Sequence, residues 1–134
     1  MMPNGRVVLA NDSRLLREML KRVINKVPGL HVVEEIGDLA RLMPAIRRTD
    51  PTWAVVSLSA DGSMPEVTNT ALQEHPMHIL GLKADWSRAK VKSLSSHEKD
   101  LGHLSLGDLI DILTSDHVEE LIQAQASRKE LKGR

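Results

Sequence analysis

Short aliphatic runs alternate along the chain with longer stretches whose apolar residues recur at helical spacing. The first run, Val7-Val8-Leu9-Ala10, ends in the polar pair Asn11-Asp12. Apolar doublets then recur every four residues at Leu15-Leu16, Met19-Leu20 and Val23-Ile24, with Val27 beyond. They predict one helix with a broad apolar stripe, capped by Asp12 or Ser13 and stopped by Pro28-Gly29. A second strand is expected over His31–Ile36 and a helix after Gly37-Asp38, which Pro44 kinks or shortens by removing a backbone donor.

Trp53-Ala54-Val55-Val56-Ser57-Leu58 is nearly all apolar, as a strand covered on both faces should be. Ser63 and Glu66 have capping-box spacing and predict a third helix running toward His75. Met77–Leu82 is the fourth strand. Trp86–Lys99 is read as a weakly patterned helix with Ala89 and Leu94 inward, and Gly102–Ser105 as a short fifth strand. Ser105 and Asp108 cap a last helix through Leu109, Ile110, Ile112 and Leu113, and Val118, Leu121 and Ile122 continue its stripe.

Five strands alternating with five helices predict an α/β fold: a doubly wound, five-stranded parallel sheet of order 2-1-3-4-5 with helices on both faces. One domain is expected over residues 1–115, with a helical extension or tail at 116–134. Ligands of such sheets bind beyond the carboxyl ends of the strands, where the strand order reverses. Asn11, Asp12, Ser57 and Lys83 all fall at that edge.

Composition narrows the function. Lys and Arg number 18, as do Asp and Glu, so the basic excess of a typical nucleic-acid binder is missing. Trp53 and Trp86 are the only aromatic residues, which leaves little to stack on bases. Cysteine is absent, so disulfides, thiolate metal sites and a cysteine nucleophile are excluded. Pro3, Asn4, Gly5 and Arg6 follow the start in place of an apolar leader, and no run approaches the ~18 apolar residues of a membrane span. A cytoplasmic protein with neither membrane nor direct nucleic-acid contact is expected.

From Arg6 to Leu58 the chain resembles the first half of a bacterial response-regulator receiver domain. Val7-Val8-Leu9-Ala10-Asn11-Asp12-Ser13, the helix segment Leu15-Leu16-Arg17-Glu18-Met19-Leu20, and Val27-Pro28-Gly29-Leu30-His31-Val32-Val33-Glu34 carry the likeness. Beyond residue 60 it rests on element order. In that family an aspartate ending the third strand takes a phosphoryl group, and Mg²⁺ held by an acidic pair offsets the incoming charge.

The resemblance places Ser57 at the acceptor position, Asn11 and Asp12 at the acidic pair, and Lys83 at the hydroxyl position after the fourth strand. It places His103 at the switch aromatic and Leu106 at the lysine. A serine hydroxyl is a poor nucleophile without a base, and the loss of two carboxylates weakens any Mg²⁺ site. Lys83 is expected to pair with Asp12 in place of a metal. No cofactor, catalysis or phosphotransfer from a histidine kinase is expected. Asp61, just past the third strand, is the alternative acceptor.

Other constellations are weaker. His75 and His78 have an H-x-x-H spacing, but a strand entry does not converge two imidazoles on a metal. There is neither a G-x-S-x-G elbow nor a phosphate-binding glycine loop. Arg17, Lys21 and Arg22 read as a solvated helix face. The resemblance therefore implies a pseudo-receiver in signal transduction, such as the receiver part of a transcriptional regulator, that binds a protein partner or itself. Its contact surface is expected at His103, Leu109, Val118, Leu121 and Ile122. A small-molecule-binding flavodoxin-like domain is a further alternative.

Overall fold

The computed structural model describes residues 5–93 and 96–115, without the side chains of 96 and 97. Leu94, Val118, Leu121, Ile122 and the expected extension at 116–134 lie outside the described residues. The first half follows the hydrophobic pattern closely. Strand β1 (Gly5–Ala10) leads to helix α1 (Arg14–Asn25), whose first turn is closed by Ser13 Oγ accepting from the Leu16 N–H at 3.2 Å. Each apolar doublet of α1 divides, so the expected broad stripe is narrower than the doublets suggest. Leu16, Leu20 and Ile24 are buried, whereas Leu15 and Met19 are exposed.

Strand β2 (Leu30–Ile36) is followed by a 3-10 turn (Leu39–Arg41), where Asp38 Oδ1 accepts from the Ala40 N–H at 2.9 Å. Helix α2 (Leu42–Thr49) is short, and Pro44 is its third residue, where a backbone N–H would have no helical acceptor. After β3 (Trp53–Ser57) comes α3 (Val67–Glu74). The expected Ser63–Glu66 capping box does not form. Glu66 precedes the helix with no side-chain cap, because Ser63 gives both its N–H and its hydroxyl to Asp61.

The second half departs from the expected all-parallel sheet. The chain continues through β4 (His78–Leu82), β5 (Ala89–Ser93), β6 (Ser96–Gly102) and α4 (Leu106–Thr114). The sheet is mixed and six-stranded, of order β2-β1-β3-β4-β5-β6, with β4–β5 and β5–β6 antiparallel. Of the residues expected to form a helix over 86–99, 89–93 and 96–99 lie in these two antiparallel strands instead. Ala89, Val91 and Ser93 are buried while Lys90 and Lys92 point outward, a period of two rather than 3.6. Asp85 accepts from the Ser87 N–H, and Trp86 is left-handed (φ 65°), so a helix cannot run through the turn. Ion pairs Arg88–Asp100 (2.9 Å) and Lys90–Glu98 (3.1 Å) cross the hairpin.

Two reversals leave β6 running in the direction of β1, β3 and β4, so it takes the direction expected of the fifth strand but lies one place farther out. The expected Gly102–Ser105 strand is reduced to the end of β6. The capping box at Ser105 and Asp108 forms as the spacing predicts.

Helices do cover both faces of the sheet. Residues of α1 and α4 join Val7, Leu9, Val55, Leu80 and Val91 in one core, and those of α2 and α3 join Val8, Ala54, Val56 and Ile79 in the other. The second core stops at β4. Lys90 and Lys92, paired with Gly81 and Ile79, occupy the positions that would extend it.

Gly81 lets Leu58 lie across β4 and close one side of the crevice at the strand ends. A Cβ there would sit 2.5 Å from Leu58 Cδ2 and 2.8 Å from Met64 Sδ. Gly81→Ala is expected to lower stability by about 1–3 kcal/mol, as overpacking does. Urea unfolding should show a lower midpoint at unchanged slope.

Candidate functional site

The site follows from the parallel register of β1 and β3. Ala10 pairs with Val56, so the two chains leave the sheet together and bring Asn11 and Asp12 onto Ser57. The Ser57 hydroxyl donates to Asp12 Oδ1 at 3.0 Å. It accepts from the Asp12 N–H at 3.2 Å and from Asn11 Nδ2 at 3.4 Å. A hydroxyl has one proton and two lone pairs, and here all three are used. Asn11 is fully buried, and its Oδ1 has no partner.

Arg17 is not on a solvated face. Its side chain is only 16% exposed, and its guanidinium donates to the Asn11 carbonyl at 2.5 Å and lies 3.9 Å from Glu35. Lys21 completes that group at 2.9 Å from Glu35. The helical spacing gave Arg17 a surface position, but a long side chain can bend over β1 and β2 to reach polar groups there.

The expected pairing of Lys83 with Asp12 does not occur: no ion pair joins them among the described residues. Lys83 lies in the β4–β5 turn, where its backbone bonds Arg88 and Trp86. Its charge acts on Asp85, whose carboxyl is held below the usual range chiefly by the Ser87 side chain and N–H.

Asp61 also lies apart. Its Oδ1 accepts from the Ser63 hydroxyl (2.6 Å) and N–H (3.0 Å), which hold its carboxyl below the usual carboxylate range. It does not line the crevice that Asp12 and Ser57 share.

His103 and Leu106 follow β6, three strands from β3 and thus roughly 14 Å away at ordinary strand spacing. Both are exposed, and neither reaches Ser57. Leu109, expected on a contact surface, is fully buried in the core under α4, because it shares one helix face with Ile112 and Leu113, which pack on the sheet. His75 contacts the Pro51 carbonyl and Asp50, while His78 packs against the Trp53 ring at 5.0 Å. The two imidazoles thus go to different partners.

A crevice of about 360 Å³ opens at the ends of β1, β2 and β3. Asp12, Asp38, Ser57 and Ser59 supply its polar lining and Leu39, Leu58 and Pro65 much of its apolar wall. Sequence marks Asp38 only as the opening of a helix and Ser59 only as a weak triad serine, although both follow strands at the edge where such sheets bind ligands. A second hollow of about 310 Å³ lies at the opposite sheet edge, beside Trp53, His78 and the end of α4.

Among the described residues no group of three or more His, Cys, Asp or Glu could hold a metal, and no helix is long and apolar enough to cross a membrane. No family model matches the chain, and no curated protein matches it.

Ser57→Ala should cost about 1–2 kcal/mol, because it strands the Asp12 N–H and the buried Asn11 amide. Chemical unfolding measures this, with Ser57→Thr expected to recover part of the loss. The Asp61 carboxyl should titrate below its ordinary value in the native chain. Ser63→Ala should move it upward, which an NMR pH titration of the Asp61 side chain reads directly.

Proposed function

We propose that this chain is an atypical receiver that works in signal transduction without phosphorylation, through contact with a protein partner or a second copy of itself. The observation that carries this reading is the saturated Ser57 hydroxyl. Where a receiver of the family it resembles would hold an ionised nucleophile, this chain has a neutral group tied by three hydrogen bonds to Asn11 and Asp12. Such a hydroxyl is uncharged, and with its oxygen accepting from the Asp12 N–H and the Asn11 amide it has no free lone pair to offer a phosphorus atom.

The β5 insertion supports the same reading. It sets His103 and Leu106 away from Ser57, so a change at Ser57 has no direct contact through which to reach them. No catalytic role and no cofactor are assigned. Asp61 is a poor substitute acceptor, since Ser63 occupies one of its oxygens. A receiver portion of a transcriptional regulator fits this reading.

A second reading, a domain that binds a small molecule at the strand ends, is favoured by the crevice of about 360 Å³. That volume falls within the ~300–1,000 Å³ usual for ligand sites.

Titrating Mg²⁺ and beryllofluoride while following backbone amide shifts tests the first reading. No saturable change is expected at Asp12, Ser57 or Asp61. Saturable shifts clustered there would return the chain to phosphotransfer.

A further inference from the structure

Helix α1 carries more apolar surface than the core takes up. Leu16, Leu20 and Ile24 are buried, whereas Leu15 is 79% exposed, Met19 is 39% exposed and Val23 is half-buried. Leu15 and Met19 are two of the three large apolar side chains exposed among the described residues. They stand one helical interval apart and Val23 follows at the next, so the three form one ridge along the helix. Isolated exposed apolar residues are ordinary, but a continuous ridge is a contact surface.

The ridge looks toward α4. Arg17 and Lys21 lean the other way, to Glu35 on the edge strand β2. Leu15 and Met19 lie about 160° around the helix from them. Residues of α4 pack on the same face of the sheet as those of α1. At the end of α4, Ser115 is extended (φ −72°, ψ 133°), so the chain leaves the helix axis there. Ser115 lines the hollow of about 310 Å³ together with Pro28 and Gly29, which follow α1. The chain past residue 115 therefore starts at the foot of the ridge.

The sequence that comes next matches the ridge. Asp116 and Glu119 have capping-box spacing, and Val118, Ile122 and Ala126 recur at the helical interval with Leu121 beside them. That stripe and the ridge each cover about 12 Å at helical rise. Run back along α1, the segment sets Val118 against Val23, Ile122 against Met19, and the small Ala126 against the large Leu15. The same register puts Glu119 opposite Arg22 and Lys129 opposite Asp12, all in favourable sense, and opposes no like charges from 116 to 129.

We propose that residues 116–129 lie antiparallel along α1 of their own chain and cover the ridge of Leu15, Met19 and Val23. The segment begins beside its docking surface, so the contact forms at an effective concentration that a second copy would have to match. While it is seated, Leu15 and Met19 are closed to any other protein. This goes beyond the signalling reading above and does not rest on it.

The absence of cysteine makes a single spin label straightforward. A nitroxide on Ser127→Cys, on the side of the segment away from its apolar stripe, should broaden the amide signals of Leu15, Glu18 and Met19 in the full chain. Tenfold dilution should leave that broadening unchanged. Leu15→Asp with Met19→Asp should abolish it, and both side chains are exposed, so the fold tolerates the change. Three results overturn the proposal. One is no broadening on α1. Another is broadening that survives the paired aspartates. The third is broadening of an unlabelled ¹⁵N chain mixed with the labelled one, which would assign the ridge to a second copy.

Discussion

The parallel pairing of β1 with β3 is the constraint on which the rest of the site depends. With Ala10 opposite Val56, the residues that follow each strand emerge side by side, and a one-residue slip would turn every side chain of one strand to the other face. Both strands are covered on both faces, by α1 and α4 below and α2 and α3 above, so burial holds the register. Ser57, Asn11 and Asp12 meet for that reason. Their hydrogen bonds tie the ends of two strands that share few other polar contacts at that edge.

The same pairing explains why one half of the molecule was legible in the sequence and the other was not. From β1 through β3 the pattern is strong, because central parallel strands are apolar throughout and the flanking helices carry regular stripes. Ser13, Ser105 and Asp108 cap the helices their spacing indicates. Past β4 the signal weakens because only one face of the hairpin is buried. Ala89, Val91 and Ser93 alternate with lysines over just five residues, and the small Ala and Ser mark the buried face faintly. Asp61 outcompeted Glu66 for Ser63 because an aspartate two residues away can take both its N–H and its hydroxyl.

The candidate site was legible where it follows from strand order and hidden where it depends on side-chain reach. Asn11, Asp12 and Ser57 converge as the strand ends require. Lys83 does not, because the Asp85–Ser87 turn carries the chain directly into β5 rather than toward Asp12. Arg17 was hidden for the opposite reason: its Cα belongs to a surface helix, while its guanidinium works at the Asn11 carbonyl.

The outward position of β6 has a consequence for assembly. Among the described strands it is an edge, with backbone groups that another strand could in principle use. Yet Glu98, Lys99 and Asp100 stand in succession along it, and its register with β5 is broken twice by bulge-like shifts. Charge and broken register are the means by which sheets discourage edge-to-edge growth. The β5–β6 hairpin thus ends the sheet rather than offering it for extension, and the sheet closes on this side without an adhesive border.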